Sequence, residues 1–379
     1  MVMGFGDWRV IRPDAETVWE HEEVRSRLSW YYSVMVDEKP AKFLIVKSID
    51  AGEDPRKLDM EGLWSLHDSL QRFFNNFYER IRRGKYGWEE LRELGKPKWS
   101  FLDVKITIAR NIIKSCHFCE RRCRVNRFEK PGFCGVDYKT YVHSWFHHLG
   151  EEAPLVPSGT IFYGGCNFRC VYCQNYDISQ EDPRGGEVVD AFKLALIQEK
   201  LRRTGARNIN HVGGDPTPNI HTILESLKYL DVNVPQLWNS NMYLSIEAMK
   251  LIVDVIDIWL PDFKYGNNDC ALRLSNAPNY VEIVLRNLKY AAKHGDMIIR
   301  HLVLPNHIDC CTKRVLEAIA KELPKDKVLV NIMDQYYPTY LVVRYPQKWP
   351  EITRRLKYRE IKEAYEYAKK LGICFEPVS

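Results

Sequence analysis

The sequence predicts an α/β fold, a partial (βα)6 barrel preceded by an N-terminal α+β extension and a four-cysteine metal segment. From Ser158 onward, short β-branched runs alternate with amphipathic helical segments, and repeated βα units imply a parallel sheet with right-handed crossovers. Cysteines divide the chain, since residues 1–115 contain none and the remainder contains all eleven. Polar residues and glycines follow several predicted strands, which indicates a site at the carboxyl-end mouth of the barrel.

Length and composition are those of a chain that buries a large core. The 379 residues suffice for two or more folding units, with 45% hydrophobic and 28% charged residues and a net charge of +5. That charge is too small to indicate nucleic-acid binding by itself. No stretch reaches the roughly 18 consecutive apolar residues of a membrane span, and the first residues lack a secretory signal pattern. Together with the cysteines, these features predict a cytoplasmic protein whose thiols bind metals or lie buried.

We divide the chain into an N-terminal α+β domain of unknown role (1–115), a four-cysteine metal-binding segment (116–157) and the barrel (158–379). In the first segment, apolar residues at three- and four-residue steps predict a helix over Met60–Gly84. The run Ala41–Ile49 predicts a strand. Aromatic residues at helical spacing favour a packed core here over a base-stacking surface.

Six strands are predicted in the barrel segment from β-branched and aromatic runs. They are Thr160–Gly164, Asn208–Gly213, Gln236–Asn241, Ile256–Lys264, Met297–Leu304 and Lys327–Asp334. The helices predicted from 3.6-residue periodicity are Ala191–Arg203, Ile220–Leu230, Ile246–Val253, Tyr280–His294, Lys313–Leu323 and Tyr358–Leu371. Because parallel strands end at one edge of a sheet, the residues that follow them are expected to meet there.

Three cysteines follow the first predicted strand with the spacing C-x3-C-x2-C, at Cys166, Cys170 and Cys173. Three thiolates are one fewer than a closed tetrahedral zinc site requires. An iron–sulfur cubane held by three thiolates keeps one iron open to an outside ligand. The alternatives are half of a zinc knuckle or three unconnected core thiols.

Candidate binding residues stand at the ends of later strands. After the second, Gly213 and Gly214 allow close approach of the backbone to a ligand, and Asp215 can accept a hydrogen bond from an ammonium group. A plain strand-to-helix turn is the alternative. After the fourth, Asp262 and Lys264 point to the same side of an extended chain, so they bind a carboxylate and a cation or pair with each other.

A second cysteine set supplies four thiolates at Cys116, Cys119, Cys123 and Cys134, which suits structural zinc or an auxiliary [4Fe–4S] cluster. Spacing does not decide between these metals, and unmetallated thiols are a third alternative. Neighbouring cations would offset thiolate charge or contact a phosphate; they are Arg121, Arg122, Arg124, Arg127 and Lys130. The remaining cysteines are expected to be buried structural thiols, with an added role left open for the adjacent pair: Cys270, Cys310, Cys311 and Cys374.

From Cys116 to about Pro338 the chain resembles the radical S-adenosylmethionine (SAM) superfamily, in a branch related to pyruvate formate-lyase activating enzyme. The motifs are the C-x3-C-x2-C run with an aromatic before its last cysteine, Gly-Gly-Asp-Pro at 213–216, Leu-Pro-Asp-Phe-Lys at 260–264 and Arg-His-Leu-Val-Leu-Pro at 300–305. The resemblance implies a [4Fe–4S] cluster on the first three cysteines, whose open iron takes the amino and carboxylate groups of SAM. An electron then cleaves SAM to methionine and a 5′-deoxyadenosyl radical.

The resemblance also implies roles for residues after the strands. The Gly213–Asp215 run would hold the SAM amino group, with Asp in place of the usual Glu. Lys264 would bind the SAM carboxylate, with Asp262 nearby. A run that departs in part from the family's Asp-Thr-Asn-Gly would hydrogen-bond a ribose or methionine group: Asn239, Ser240 and Asn241. His301 is a candidate contact to adenosine or substrate, with a structural role as the alternative. No catalytic side chain is assigned.

The predicted function is a radical SAM enzyme that abstracts hydrogen from a protein substrate, as the activating enzymes do. One alternative is modification of RNA or a small molecule; another, of a different class, is a non-catalytic four-cysteine zinc-binding module. The predicted cofactors are a [4Fe–4S] cluster, SAM and a second [4Fe–4S] cluster or zinc. The predicted partners are an electron donor such as ferredoxin or flavodoxin and a protein substrate, with no membrane; nucleic acid is allowed but not indicated.

Overall fold

Eight strands of the computed structural model, which describes residues 8–379, form one sheet. In chain order they are β1 (Thr140–His148), β2 (Ser158–Tyr163), β3 (Glu187–Val189), β4 (Asn208–Gly213), β5 (Gln236–Ser240), β6 (Ile258–Pro261), β7 (Asp296–Leu302) and β8 (Val328–Met333). Across the sheet the order is β3-β1-β2-β4-β5-β6-β7-β8. Strands β2 and β4 to β8 pair in parallel. The predicted α/β fold with six parallel barrel strands is therefore confirmed.

An antiparallel edge extends this sheet beyond the prediction. Strand β1 pairs antiparallel with both β2 and β3, and it lies in the segment that the sequence assigned to metal binding. The fourth predicted strand is shorter than expected, because β6 ends at Pro261 and the pairing beyond it is reduced to an isolated bridge between Asp262 and Arg300. Asp262 and Lys264 consequently follow the strand rather than extend it.

From residue 8 up to the first strand, the structure has eight α-helices. They are α1 (Trp8–Ile11), α2 (Asp14–Thr17), α3 (Glu22–Arg27), α4 (Ser29–Met35), α5 (Lys42–Ser48), α6 (Met60–Arg82), α7 (Trp88–Leu94) and α8 (Phe101–Ile112). The helix predicted over Met60–Gly84 is confirmed. Within residues 8–115 the β structure is limited to an isolated bridge between Asp50 and Ser100. The predicted α+β extension is therefore helical instead.

The strand predicted at Ala41–Ile49 is wrong, because these residues form α5. The barrel supplies the physical reason. Asp257 Oδ1 accepts a hydrogen bond from the Lys42 backbone N–H at 3.0 Å and so satisfies a free donor of the first helical turn. The same carboxylate oxygen accepts from Trp30 Nε1 at 2.8 Å. Tertiary contacts with the barrel thus override the β propensity of the run.

The later helices cover the outside of the barrel. They are α9 (Ala191–Arg203), α10 (Ile220–Tyr229), α11 (Ile246–Ile252), α12 (Asn268–Ser275), α13 (Tyr280–Ala291), α14 (Lys313–Glu322), α15 (Leu341–Arg344) and α16 (Tyr358–Lys370). Side-chain caps fix the starts of three of them: Asp190 for α9, Ser245 for α11 and Asn267 for α12. None of the helices in residues 8–379 combines the length and apolar character needed to cross a bilayer.

One apolar core joins the extension to the barrel. Buried side chains from α6 and α8, such as Phe74 and Phe101, belong to the same cluster as Ile209 of β4 and Trp259 of β6. The division of the chain at residues 115 and 157 remains a prediction.

Candidate active site

A cavity of about 650 Å³ lies at the carboxyl ends of the parallel strands. The loops after β2, β4, β5 and β6 and the last residues of β7 and β8 contribute to its wall. In barrels of this kind, ligands bind at this end. The cavity also falls in the size range of small-molecule and cofactor sites, about 300–1,000 Å³.

Three thiols from the loop after β2 line this cavity, and we call them the signature thiols: Cys166, Cys170 and Cys173. Each sulfur has at least one hydrogen-bonding partner, and the Cys166 sulfur also lies 3.8 Å from Asn241 Nδ2. In that order the nearest partners are the Phe168 backbone N–H at 3.3 Å, the Ser275 hydroxyl at 2.9 Å and the Ser179 hydroxyl at 3.4 Å. Donors on a thiolate sulfur stabilise its negative charge. Neither serine was assigned a role from the sequence: Ser179 stands in the run after Cys173 and Ser275 lies about a hundred residues further on, so only the fold shows that both contact the signature thiols.

The signature thiols fit an iron–sulfur cluster better than a single ion. Two thiolates on one zinc ion lie at most about 4.6 Å apart, because each Zn–S bond is about 2.3 Å. Among the described residues, these three sulfurs are not all within 4.8 Å of one another. A cluster spreads its thiolates over separate iron atoms. Burial raises the pKa of Cys166 and of Cys170, so the bare thiols are neutral and metal binding must displace their protons.

Two glycines after β4 bring the backbone against the loop that carries the signature thiols. Gly213 has φ of +114°, and a Cβ there would lie 2.1 Å from the Tyr163 nitrogen. A Cβ on Gly214 would lie 2.2 Å from the Gly165 carbonyl oxygen. Gly214 N–H donates to the Tyr163 carbonyl at 2.8 Å. Only glycine permits this approach to the chain's own backbone, whereas the predicted approach of the same glycines to a ligand remains a prediction.

Asp215 lines the cavity and is 2% exposed. Its carboxylate accepts three hydrogen bonds, from the Thr217 N–H at 2.9 Å, the Ser240 hydroxyl at 3.1 Å and the Asn241 N–H at 3.0 Å. Burial raises the pKa of Asp215, and these donors oppose the shift. The carboxylate therefore joins the loop after β4 to the loop after β5 beside the signature thiols.

The polar run after β5 lies in the same cavity wall. Asn241 Nδ2 donates to Asn167 Oδ1 at 2.7 Å, next to Cys166. Asn239 Oδ1 is 3.4 Å from a guanidinium nitrogen of Arg300. The structure thus brings the run Asn239–Asn241 together with the signature loop.

Lys264 and Asp262 form an ion pair, with Nζ 2.8 Å from Oδ2. Both line the cavity. Burial lowers the pKa of Lys264, but the Asp262 carboxylate and Cys170 in its thiolate form outweigh it, and the net pKa is raised. Lys264 is therefore a permanent cation close to the middle signature thiol. The sequence allowed two interpretations, an ion pair between Asp262 and Lys264 or a site that binds a charged ligand. This geometry is compatible with both, because the pair lies in the cavity wall.

His301 does not line the cavity. Its Nδ1 is 2.8 Å from the Phe263 carbonyl and its Nε2 is 2.9 Å from the Thr312 hydroxyl, both outside the cavity wall. Burial lowers its pKa to about 4, so the ring is neutral. Successive residues of a strand face opposite sides, and in β7 the cavity side carries Arg300 and Leu302. The structure favours the structural role for His301 that the sequence analysis left as its alternative.

Arg300 belongs to a buried charged cluster that the sequence analysis did not assign. Its guanidinium pairs with Glu151 and with Glu152, the latter at 2.7 Å. Asn210 Nδ2 donates to Glu151 at 2.9 Å, and Asn331 Nδ2 donates to Glu152 at 2.8 Å. Burial by itself would raise the pKa of Glu151, but Arg300 and His148 together outweigh it and lower that pKa. A signal existed in the sequence, namely two consecutive glutamates just before an apolar strand.

The four cysteines 116, 119, 123 and 134 converge on a second pocket of about 10 Å³, together with Phe118 and Phe133. No three of these sulfurs lie within 4.8 Å of one another among the described residues. The Cys134 carbonyl accepts a hydrogen bond from the Cys166 N–H at 3.2 Å. The two cysteine sets are therefore joined directly through the backbone.

Comparison with known proteins identifies the family. A sequence model of the radical SAM superfamily matches residues 160–319. The uncharacterized protein MJ0674 of Methanocaldococcus jannaschii is 44% identical over 354 residues, which cover 92% of this chain and 98% of that relative. A second uncharacterized protein of that organism, MJ0808, is 26% identical over 273 residues, 66% of this chain and 79% of the relative. The chain belongs to the radical SAM superfamily, whose members use a [4Fe–4S] cluster and SAM.

Solved structures give weaker matches. Streptococcus suis SuiB bound to its precursor peptide SuiA has a TM-score of 0.39 and 11% identity, over 55% of this chain and 46% of SuiB. TYW1 with a lysine-pyruvate adduct has a TM-score of 0.34 and 14% identity, over 56% of this chain and 72% of TYW1.

Proposed function

We propose that this chain binds a [4Fe–4S] cluster through the signature thiols and SAM in the adjoining cavity, and abstracts a hydrogen atom from a protein substrate. The observation that carries the proposal is that three thiols, each with a hydrogen-bonding partner, open onto the same cavity as Asp215 and Lys264. When bound, the cluster supplies the electron that divides SAM into methionine and a 5′-deoxyadenosyl radical. A small electron carrier such as ferredoxin or flavodoxin is the proposed source of that electron.

Two charged side chains in the cavity complement the methionine part of SAM. Lys264, kept cationic beside Cys170, is the proposed partner of the SAM carboxylate. Asp215 already accepts three hydrogen bonds, and a carboxylate offers about four acceptor positions. One acceptor position therefore remains for the SAM ammonium group. Asn239, Ser240 and Asn241 are the proposed hydrogen-bonding partners of the ribose or methionine part.

The cavity limits how a substrate reaches the radical. A volume of about 650 Å³ holds one cofactor-sized molecule and a small part of a substrate. A peptide that places a single residue in the cavity fits within this volume. The charged cluster of Glu151, Glu152 and Arg300 lies in the same wall, where its charges pair with one another and give the wall a fixed polar surface.

The basic residues of the four-cysteine segment do not favour RNA as the substrate, because three of them are used within the protein. Arg121 donates to the Asn167 carbonyl at 2.9 Å, and Arg122 pairs with Glu247 at 3.0 Å. Arg127 is fully buried, with its guanidinium 2.6 Å from the Pro218 carbonyl oxygen. Phosphate recognition would require these cations to be free.

The test of this function is anaerobic SAM cleavage. With dithionite and SAM, the purified chain should yield 5′-deoxyadenosine, and Cys170→Ala should abolish the yield because one cluster ligand is lost. Cys374→Ala, which alters a thiol outside both sets, is the matched control and should cleave SAM as the parent does. A Cys170→Ala protein that cleaves SAM at the parent rate would refute the assignment.

The substrate class is tested with native extract. Extract should stimulate 5′-deoxyadenosine formation, because the 5′-deoxyadenosyl radical takes a hydrogen atom from the substrate. Prior protease treatment should remove the stimulation, whereas nuclease treatment should leave it. The opposite result would make RNA the substrate, and stimulation that survives both treatments would indicate a small molecule.

We propose an auxiliary [4Fe–4S] cluster at the four-cysteine set. The sulfurs are too widely spaced for one zinc ion, for the reason given above, and the Cys134–Cys166 backbone bond places the set next to the signature loop. Metal analysis of a Cys166/Cys170/Cys173→Ala variant tests this. About four irons left per chain would support the cluster, one zinc would indicate a structural site, and neither metal would mean that no site exists.

A further inference from the structure

Three further cysteines, outside both sets, come together where the start of α12 meets the turn before α14. They are Cys270, Cys310 and Cys311, and all three sulfurs lie within 4.8 Å of one another. None of them lines the cavity or the pocket of the four-cysteine set. Cys270 is in the first turn of α12, whereas the other two are in a π-helical turn, Ile308–Thr312, that precedes α14.

We propose that these three thiols and His307 form a Cys3His site for a zinc ion. The Cys270 sulfur is 4.0 Å from the Cys310 sulfur, which is 3.9 Å from the Cys311 sulfur. Tetrahedral geometry with Zn–S bonds of about 2.3 Å separates two sulfur ligands by about 3.8 Å. The thiols therefore already stand at the spacing of one zinc ion, in contrast to the two sets described above.

His307 is the proposed fourth ligand. Its Nδ1 is 2.8 Å from the Pro305 carbonyl oxygen. A carbonyl oxygen only accepts, so Nδ1 carries the proton and Nε2 keeps its lone pair. The same imidazole interacts with the Cys270 thiol, and because its nitrogens are not within 4.8 Å of all three sulfurs, a zinc ion would have to draw the ring inward. A metal-binding histidine usually donates its other N–H to a carbonyl in this way, which fixes the ring.

Asn267 supplies the outer hydrogen bonds that a thiolate site needs. Its Nδ2 donates to the Cys310 carbonyl at 2.7 Å and lies 3.2 Å from Cys270 Sγ and 3.7 Å from Cys311 Sγ. Amide donors beside sulfur stabilise thiolates and orient them. The same side chain caps α12 by accepting from the Cys270 N–H at 2.8 Å. One asparagine thus holds both segments of the proposed site.

A zinc ion here would fasten the loop after β6 to the loop after β7. Lys264 precedes the site in the first of these loops, and α12 carries Cys270 near its start and Ser275 at its end. Ser275 is the residue that contacts Cys170. Zinc would therefore act on the signature thiols only by positioning α12. The site rests on its own geometry and stands whether or not the proposed radical function is correct.

The experiment is zinc analysis of the full chain after incubation with Zn²⁺ under reducing conditions and removal of the excess. Cys270→Ser and Cys310→Ser should each hold about one zinc per chain fewer than the parent, while iron content stays at the parent level. Cys374→Ser, a half-buried cysteine elsewhere, should keep the parent zinc content. Equal zinc in the parent and in both variants would overturn the proposal.

X-ray absorption at the zinc edge of the parent protein decides the matter if the variants fail to fold. A first shell of sulfur with one nitrogen donor is expected, and His307→Ala should remove the nitrogen contribution. A shell of sulfur alone would assign the zinc to the four-cysteine set and overturn the proposal. A parent that retains no zinc, or a disulfide between Cys270 and Cys310 in the protein kept under reducing conditions, would overturn it as well.

Discussion

Ser275 Oγ lies 2.9 Å from Cys170 Sγ, so the last residue of α12 contacts the middle signature thiol. The same hydroxyl is 2.6 Å from the Tyr265 hydroxyl, which is 2.6 Å from that of Tyr172. A buried chain of hydroxyl groups therefore links the thiol to the loop after β6. A donor beside a thiolate favours the more negative, reduced state of a bound cluster.

Replacing Ser275 by Ala should lower the reduction potential of the cluster while leaving its iron in place. A hydrogen bond of this kind contributes about 0.5–1.5 kcal/mol, which is roughly 20–60 mV for a one-electron couple, since a tenfold change is about 59 mV. A redox titration followed by electron paramagnetic resonance measures the shift. Ser33→Ala, on α4, should have the parent potential; an unchanged potential in Ser275→Ala would show that the contact does not act on the cluster.

Replacing Lys264 by Ala should weaken SAM binding by roughly 1.5–3 kcal/mol, the range for a lost hydrogen bond to a charged group. Asp262→Asn is the matched variant, because it removes the ion-pair partner of Lys264 but keeps the cation. It should cost less affinity than Lys264→Ala. Anaerobic calorimetry on protein with its cluster gives both values. Parent affinity in Lys264→Ala would remove this residue from the SAM site.

The barrel and the site differ in how far sequence can predict them. The run at Gly213 to Asp215 is a local signal, because close backbone approach demands glycine at those positions. No local sequence signal shows which residue of β7 faces the cavity. The facing residue depends on the strand's orientation in the barrel, and the structure selects Arg300 where the motif suggested His301.

Contacts between segments that are distant in the chain could not be predicted from the sequence either. Cys270 meets Cys310 only because α12 and the turn before α14 pack together. Ala41–Ile49 has the composition of a strand, and its helix depends on Asp257, a residue of the barrel. In each case, the deciding partner lies far along the chain.

Replacing Gly213 by Ala should be much more costly than replacing Gly205, although both have a positive φ, +114° and +110°. A Cβ at Gly205 meets nothing within 4 Å, so only the backbone cost of about 1–2 kcal/mol applies. At Gly213 the Cβ would overlap the Tyr163 backbone, which adds about 1–3 kcal/mol or more. Urea unfolding of both variants compares the two. Equal losses of stability would mean that the loop after β4 can move away from β2.

The free energy of unfolding should also depend on pH through Asp296, the first residue of β7. Its Oδ2 accepts a hydrogen bond from the Tyr31 N–H of α4 at 2.8 Å. Burial raises the pKa of Asp296 to about 7, against the opposing effects of that N–H and of Lys42. The unfolded value is about 3.9. Because the folded pKa is the higher one, the protonated acid favours folding below about pH 4, and this contribution is lost as pH rises to about 7.

Asp296→Asn should remove this pH dependence, because an amide stays neutral and its oxygen still accepts from Tyr31. Relative to the parent, the variant should gain stability between about pH 4 and about pH 7, by an amount on the order of 4 kcal/mol for a shift of about three pKa units. Urea unfolding of parent and variant across this range provides the comparison. Asp309→Asn, whose side chain is 86% exposed, is the control and should show no such trend. A constant difference between the parent and Asp296→Asn would mean that Asp296 is ionised throughout and that α4 docks on a charged carboxylate.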